Sequence, residues 1–464
     1  MVALTPMPRL PLGSPTGLML CVTAASLLVG CTQFAEVLTR RTQPQDERDA
    51  AASPQPTDDA TTTEDTRSLT TSDATSTSVS NDDSTSGDTS HGETSAPEPE
   101  PLPVPALALG SGYNTTCLLV NTDSSRLACI GDHGLQRTRR REGNRGLDAF
   151  VAVAGGEKHM CVLSSRGHVS CWGDNSRGQL GSNGPQSSDE LRSVNLPEPA
   201  HSLISGAAHT CVISHSQKLF CWGANDEGQL GLAKPDAGAS TSETQPTPVL
   251  VDDGPWTSVG AGQAHTCGVK TDGSVWCWGR NAELQVAEVE EPRVNSPRRV
   301  NTDHSWSSVV AGQTHTCALR QDGSMWCWGS DTADNSGYPL GHDAGATLST
   351  PTRLGDKRWK ALFTRAFHSC ALSNDDELAC WGRNAEGQLG AGDTDLRRKP
   401  EVVLRGLTAV TLGLYHTCAL LDNDIRCAGS NVYTQLGLPP GDRYVAFTSL
   451  LEEWLRFVET RSGQ

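Results

Sequence analysis

Aromatic residues make up only 5% of this 464-residue chain and hydrophobic residues 36%, so an ordinary core spread evenly along it is not expected. Basic charge is also scarce. Lys and Arg number 37 against 54 Asp and Glu, a net −17, whereas a surface that holds nucleic-acid phosphates needs a basic stripe. One apolar run long enough to interest a membrane exists, at the N-terminus, which excludes a multi-span transporter. Gly-x-Ser-x-Gly, Walker and His-Glu-x-x-His motifs are absent, so these catalytic signatures are missing and no cofactor is expected. Glycine, by contrast, is abundant at 46 residues, and cysteine at 16, many for a reducing compartment.

The N-terminus has the shape of an export signal over residues 1–30. Its apolar run, Leu18 to Gly30, follows a start in which Arg9 is the sole charged side chain. The run ends Leu28-Val29-Gly30-Cys31, similar to a bacterial lipobox: a small residue at the scissile position, then a thiol to carry the diacylglycerol. Cys31 is therefore the expected lipidation site and mature N-terminus. Thr32 is not an aspartate, which favours the outer membrane. Cys21 would leave with the signal.

Residues 31–105 read as a disordered tether. Residues 32–105 hold 15 Asp and Glu, four Arg and no Lys, and end in the run Pro97 to Pro105. Such a Ser/Thr/Asp/Pro-rich stretch cannot bury enough surface to offset the entropy of ordering it, and its proline end is stiff.

From residue 106 to residue 464 the chain repeats, with a period of about 50 residues. Seven cysteine pairs mark the copies: Cys117/Cys129, Cys161/Cys171, Cys211/Cys221, Cys267/Cys277, Cys317/Cys327, Cys370/Cys380 and Cys418/Cys427. Around each lies a similar text, clearest in Ala311-Gly312-Gln313-Thr314-His315-Thr316-Cys317 followed by Asp322-Gly323-Ser324-Met325-Trp326-Cys327-Trp328-Gly329. Two short apolar runs around Asp-Gly predict a β-hairpin. A Gly-rich turn such as Gly228-Gln229-Leu230-Gly231 follows, then a polar loop, a Pro-led strand and an aromatic-led strand such as Trp256-Thr257-Ser258-Val259. Four short strands per repeat and seven repeats predict an all-β, seven-bladed propeller.

The Gly-x-x-His-Thr-x-Ala-Leu strand, the Asp-Gly-x-Val-x-x-Trp-Gly-x-Asn strand and the Gly-Gln-Leu-Gly turn resemble the regulator of chromosome condensation (RCC1) repeat family, here in an exported lipoprotein form. The resemblance implies the same seven-bladed fold. Copies depart from it locally: Thr115 replaces His and Ile130 replaces Trp in the first repeat, Leu284-Gln285-Val286 replaces the Gly-Gln-Leu turn in the fourth, and Ala428 replaces Trp in the seventh.

Thiols at a constant offset on paired strands suit cross-strand disulfides in an oxidising compartment, each closing a small loop worth on the order of 2–3 kcal/mol. Zinc is the rival reading, since His265, Cys267 and Cys277 offer three ligands, but a structural site wants four and no metal is expected. Six histidines, His159, His209, His265, His315, His368 and His416, stand two residues before a cysteine. Repetition marks them as framework, each expected to bond near its own hairpin. For ring closure, Ala106–Leu109 and the segment 454–459 compete for one strand position. The C-terminal segment is favoured by its Trp-x-x-apolar phase, with an amphipathic helix as its rival.

These features describe a non-enzymatic, membrane-anchored extracytoplasmic scaffold, expected to be monomeric, that binds an unidentified protein or envelope macromolecule and no nucleic acid. Loops Ser182–Pro199, Leu232–Pro246 and Ala333–Pro351 are its candidate contact segments. Inhibition of an envelope or secreted enzyme is the alternative, since the fold resembles a secreted propeller-type β-lactamase inhibitor. Guanine-nucleotide exchange, which the family name implies, ranks below it. Because two or more acyl chains are needed for stable anchoring, Cys31→Ser should release the protein from the membrane fraction or block its maturation. Unchanged processing and membrane retention would rule out the lipoprotein reading.

Overall fold

The computed structural model describes residues 107–450 apart from 122–124, 133–137, 143–148, 233–242, 287–290, 301–304, 332–336, 343–346, 422–423, 439–440 and 442. Seven four-stranded antiparallel sheets, each made of four strands consecutive in sequence, form the seven-bladed propeller. The strand that opens each blade is aromatic-led in blades two, four, five and six, by Phe150, Trp256, Trp306 and Trp359, and starts with Leu107, Ala200 and Leu407 in blades one, three and seven. In the fourth blade the order is Trp256–Ala261, His265–Lys270, Val275–Arg280 and Arg293–Val300. The Pro-led strand thus closes its blade on the outside, paired with the hairpin before it.

Burial explains this order. The second strands are buried at every position, as in His209–Ser214, or at all but the last, as in His265–Lys270, and the outermost strands, such as Ser187–Ser193, are mostly exposed. The opening tryptophans Trp256, Trp306 and Trp359 pack between blades at 1%, 1% and 4% exposure, where truncation of such a ring costs about 3–5 kcal/mol.

The innermost strands Leu107–Ser111, Phe150–Gly155, Ala200–Ser205, Trp256–Ala261, Trp306–Ala311, Trp359–Arg365 and Leu407–Leu412 stand around one axial cavity of about 240 Å³. The contested position in the first blade is held by Leu107–Ser111, paired with Thr115–Asn121. This corrects the expected closure through residues 454–459, which lie outside the described residues. A strand from the N-terminal side already supplies the hydrogen-bonding edge that the C-terminal segment would have filled. The ring closes where Ser111 Oγ meets Thr411 Oγ1 at 2.8 Å and donates to the Leu412 carbonyl at 2.5 Å.

Each cysteine pair sits directly across its own hairpin. Cys117 lies opposite Cys129, Cys161 opposite Cys171, Cys211 opposite Cys221 and Cys267 opposite Cys277. Cys317 lies opposite Cys327, Cys370 opposite Cys380 and Cys418 opposite Cys427. Sulfur–sulfur distances run from 2.04 to 2.17 Å and Cα–Cα distances from 4.0 to 4.1 Å. The short Cα separations match opposed residues at a non-hydrogen-bonded site of an antiparallel ladder. Even the widest spacing, Cys117 to Cys129, keeps this register, because its extra residues lengthen the ladder, which continues through Val120 opposite Arg126 and Asn121 opposite Ser125, whereas the Cys161 hairpin stops pairing at Leu163 opposite Val169. Non-reducing peptide mapping of the mature protein should recover the seven within-hairpin pairs and no free propeller thiol. A major inter-repeat pair, or stoichiometric zinc, would overturn that pairing.

Candidate functional site

The repeated histidines do not bond within their own hairpins. Each reaches the next blade, correcting the expectation from sequence. His159 Nε2 lies 2.9 Å from Thr210 Oγ1, His209 2.9 Å from Thr266, His265 3.0 Å from Thr316, His315 3.1 Å from Ser369 Oγ, His368 3.1 Å from Thr417 and His416 2.9 Å from Thr116. The last contact joins blade seven to blade one.

The hydroxyls also donate to the Gly-Gln-Leu turn of the preceding blade: Thr266 to the Gln229 carbonyl, Thr316 to Gln285 and Thr417 to Gln388, each at 2.8 Å. A hydroxyl whose proton is committed to a carbonyl accepts from the imidazole, which assigns the proton of these histidines to Nε2. The same turns receive the framework indoles, with Trp222 Nε1 on the Gln179 carbonyl at 3.0 Å and Trp278 Nε1 on Gln229 at 2.9 Å. The candidate zinc set is not assembled, because His265 faces Thr316 and the Cys267 and Cys277 sulfurs face each other. Among the described residues, no group of three or more His, Cys, Asp or Glu is placed to hold a metal ion.

The cysteines belong to the blades and not to a binding surface. Cys117, Cys161, Cys211, Cys267, Cys317, Cys370 and Cys418 on the second strands are at most 1% exposed. So are their third-strand partners Cys129, Cys171, Cys221, Cys277, Cys327, Cys380 and Cys427. None of the fourteen borders the axial cavity. A sulfur so placed can fasten a hairpin, but it offers nothing to a ligand arriving from solvent. Cys31 lies outside the described residues.

Glycine three residues before the histidine makes room for the ring. A Cβ built on Gly262 would stand 2.6 Å from His265 Cε1, and one on Gly206 or Gly312 would collide with His209 or His315. Where blade one carries Thr115, the position after the histidine in blade two is Met160 instead of a hydroxyl residue. Its sulfur lies 2.9 Å from a Cβ built on Gly112, so a thioether from the neighbour fills the slot of the missing imidazole. Where blade seven carries Ala428, the Phe447 ring takes the space beside Gly390 that indoles take beside Gly181 and Gly231.

The seams repeat, but one rim does not. First strands end, second strands begin, third strands end and outer strands begin on the same rim of the ring. All five tyrosines of the chain, Tyr113, Tyr338, Tyr415, Tyr433 and Tyr444, lie at such positions in blades one, five and seven. Arg398 covers the Tyr338 ring at 4.1 Å, Arg383 covers Tyr415 at 5.4 Å and Arg365 covers Tyr113 at 5.2 Å. Of the five large hydrophobic side chains exposed among the described residues, Leu396, Val402, Val432 and Tyr433 belong to blades six and seven. Equivalent turn tips elsewhere are charged and pair across blades, as Arg177 does with Asp226 and Glu227 with Arg293. Lys270 and Arg320 also cover indoles, the buried Trp256 and Trp306 and the half-buried Trp276 and Trp326, but the third strands that carry Trp276 and Trp326 begin on the opposite rim.

Residues 200–453, more than half of the chain, match the RCC1-like domain family, and residues 150–179 match the RCC1 repeat. The chain belongs to the RCC1-like domain family. Its RCC1-like propeller is 29% identical over 281 residues to the human E3 ubiquitin-protein ligase HERC2, covering 58% of this chain and 6% of that protein. It is 32% identical over 314 residues to the human probable E3 ubiquitin-protein ligase HERC6, covering 63% and 29%. The chain thus spans a minor part of these relatives. The crystal structure of Prp20p from Saccharomyces cerevisiae, titled for its binding properties to Gsp1p and histones, superposes with a TM-score of 0.60 at 19% identity, over 71% of this chain and 86% of that one. That similarity carries the fold.

Ser182–Pro199 and Leu232–Pro246 follow the Gly-rich turns, and Ala333–Pro351 contains the equivalent turn closed by Gly341 on Tyr338, so all three lie on the tyrosine-bearing rim. Ser182–Pro199 is described throughout and contains the outer strand Ser187–Ser193. Residues 233–242, 333–336 and 343–346 of the other two loops lie outside the described residues. The tyrosine and arginine clustering escaped sequence reasoning, although the positions of five tyrosines against the repeat would have revealed it.

Burial holds the six imidazoles neutral. It pulls five of them from 6.5 to about 3 and His209 to about 4; neighbouring histidines or Arg365 add to the effect at His159, His265, His315, His368 and His416. The folded pKa lies below the unfolded one, so the stabilisation is complete above pH 6.5. As pH falls, the unfolded chain takes up protons that the propeller refuses, costing up to about 1.4 kcal/mol per pH unit for each histidine. Denaturant unfolding should therefore show stability dropping steeply below pH 6.5, with a shallower slope in His265→Gln. A flat profile down to pH 4.5 would contradict the neutral seams.

Proposed function

We propose that this chain is an exported, lipid-anchored scaffold that captures another protein on the rim formed by blades five to seven and one. The observation that carries the reading is the concentration of every tyrosine, with Arg365, Arg383 and Arg398 and exposed Leu396 and Val432, on a rim whose other sectors carry charged turn tips. Tyrosine and arginine are enriched at protein-binding hot spots because they offer large contact area with a polar end. Cysteines at disulfide distance in every blade support an oxidising compartment. Cys31 would supply the anchor and residues 32–105 the spacer.

Among the described residues no helix is long and apolar enough to cross a membrane, so anchoring rests on the lipid in this reading. Guanine-nucleotide exchange, which the family name implies, and binding of histones, which the Prp20p title raises for that protein, fit an exported acidic chain poorly. Inhibition is one consequence that capture would have if the partner were an enzyme.

A photo-crosslinking residue at Tyr433 should capture one discrete partner in the native envelope, while the same probe at Gln321, on the opposite rim, should not. Capture should fall at least tenfold in a Tyr415→Ala, Arg383→Ala double variant that retains the wild-type fold. Crosslinking from Gln321 alone, or none from Tyr433, would reject the rim.

A further inference from the structure

Six blades carry glycine three residues before the histidine position: Gly112, Gly156, Gly206, Gly262, Gly312 and Gly413. Blade six carries Arg365. The register establishes the equivalence, since Thr364 pairs with Ser369 as Ala311 pairs with Thr316. The Arg365 side chain crosses the mouth of the ring. Its Nη1 donates to the Ser205 carbonyl of blade three at 3.0 Å, its Nη2 donates to the Gly155 carbonyl of blade two, and its guanidinium covers Tyr113 of blade one. Nε is buried and has no hydrogen-bond partner. Among the described residues, no Asp or Glu forms an ion pair with it.

Arg365 is also part of the wall of the 240 Å³ axial cavity, together with Ser111, Ser205, Thr364 and Thr411. The innermost strands are sheet edges, and the free side of such an edge presents N–H as well as carbonyl groups. Two carbonyls satisfy part of the guanidinium's hydrogen-bonding capacity but leave its charge without a counter-ion, which is expensive away from bulk water. An amide or apolar side chain would close the mouth without that cost.

We propose that Arg365 and the axial cavity form a binding site for one small monoanion of the acetate or chloride class. The single positive charge matches one negative charge, and Nη1 and Nη2 each keep one N–H beyond those given to Ser205 and Gly155. The volume suits a few-carbon carboxylate with water, and is too small for a nucleotide or a folded peptide segment. The site shares Arg365 and Tyr113 with the rim offered for protein capture, but it does not depend on that reading, since chloride binding is read without any protein partner.

Chloride-35 line broadening on the purified mature chain tests it at low ionic strength. The wild type should show saturable excess broadening that acetate displaces with a stoichiometry of one per chain. Arg365→Gln, checked for native circular dichroism and disulfides, should lose at least tenfold in chloride affinity. If that variant does not fold, Arg365→Lys serves in its place: it keeps the charge, loses the fork, and should bind at least threefold more weakly. Absence of saturable broadening in the wild type, or unchanged affinity in the folded variant, would overturn the site.

Discussion

The ring depends on the bond from a buried imidazole to a hydroxyl on the next blade. An unmet polar atom in such a seam costs about 1–3 kcal/mol, whereas a met one contributes about 1. Each histidine, hydroxyl and turn carbonyl therefore has to find the others, and together they set the angle at which blade follows blade. His416 on Thr116 applies the same rule at the joint between the last blade and the first. Closure thus uses the ordinary seam chemistry and needs no strand shared between the chain ends.

Neutrality of the imidazoles is the other half of that constraint. A charged ring would have to lose its hydration against glycine backbone and a neighbour's hydroxyl, and burial prevents it. The glycines before five of the six histidines have a steric duty, because the ring occupies the space that a Cβ would take. Fold stability at neutral pH and sensitivity to acid come from the same six contacts.

Much of this was legible in the sequence. The cysteine spacing, the Asp-Gly turns and the period of about 50 residues led to seven hairpins and a seven-bladed ring, because strand alternation and turn chemistry are local properties. The destination of each imidazole was not legible. A side chain at the edge of a hairpin can point along its own blade or toward the next, and periodicity is silent on the choice. The closing strand was misread for a related reason. Trp454 has the phase of the aromatic-led strands, but Leu107–Ser111 fills the same role with an aliphatic residue at its start, as Leu407 does in blade seven. The tyrosine sector was missed because it is an exception to the repeat, and attention to the repeat averages exceptions away.

The paired change at Thr115 and Met160 has a consequence for how such an array can grow. A unit with a histidine on one side and a hydroxyl on the other can be duplicated beside any like unit, and both new seams will close. Six of the seven seams permit that. Between blades one and two it is barred. A histidine-bearing copy placed ahead of blade two would press its imidazole against a thioether, and a hydroxyl-bearing copy placed behind blade one would leave the slot beside Gly112 empty. The ring is a circular word with one spelling fixed, and that pair of residues gives an otherwise interchangeable series of blades a first and a second.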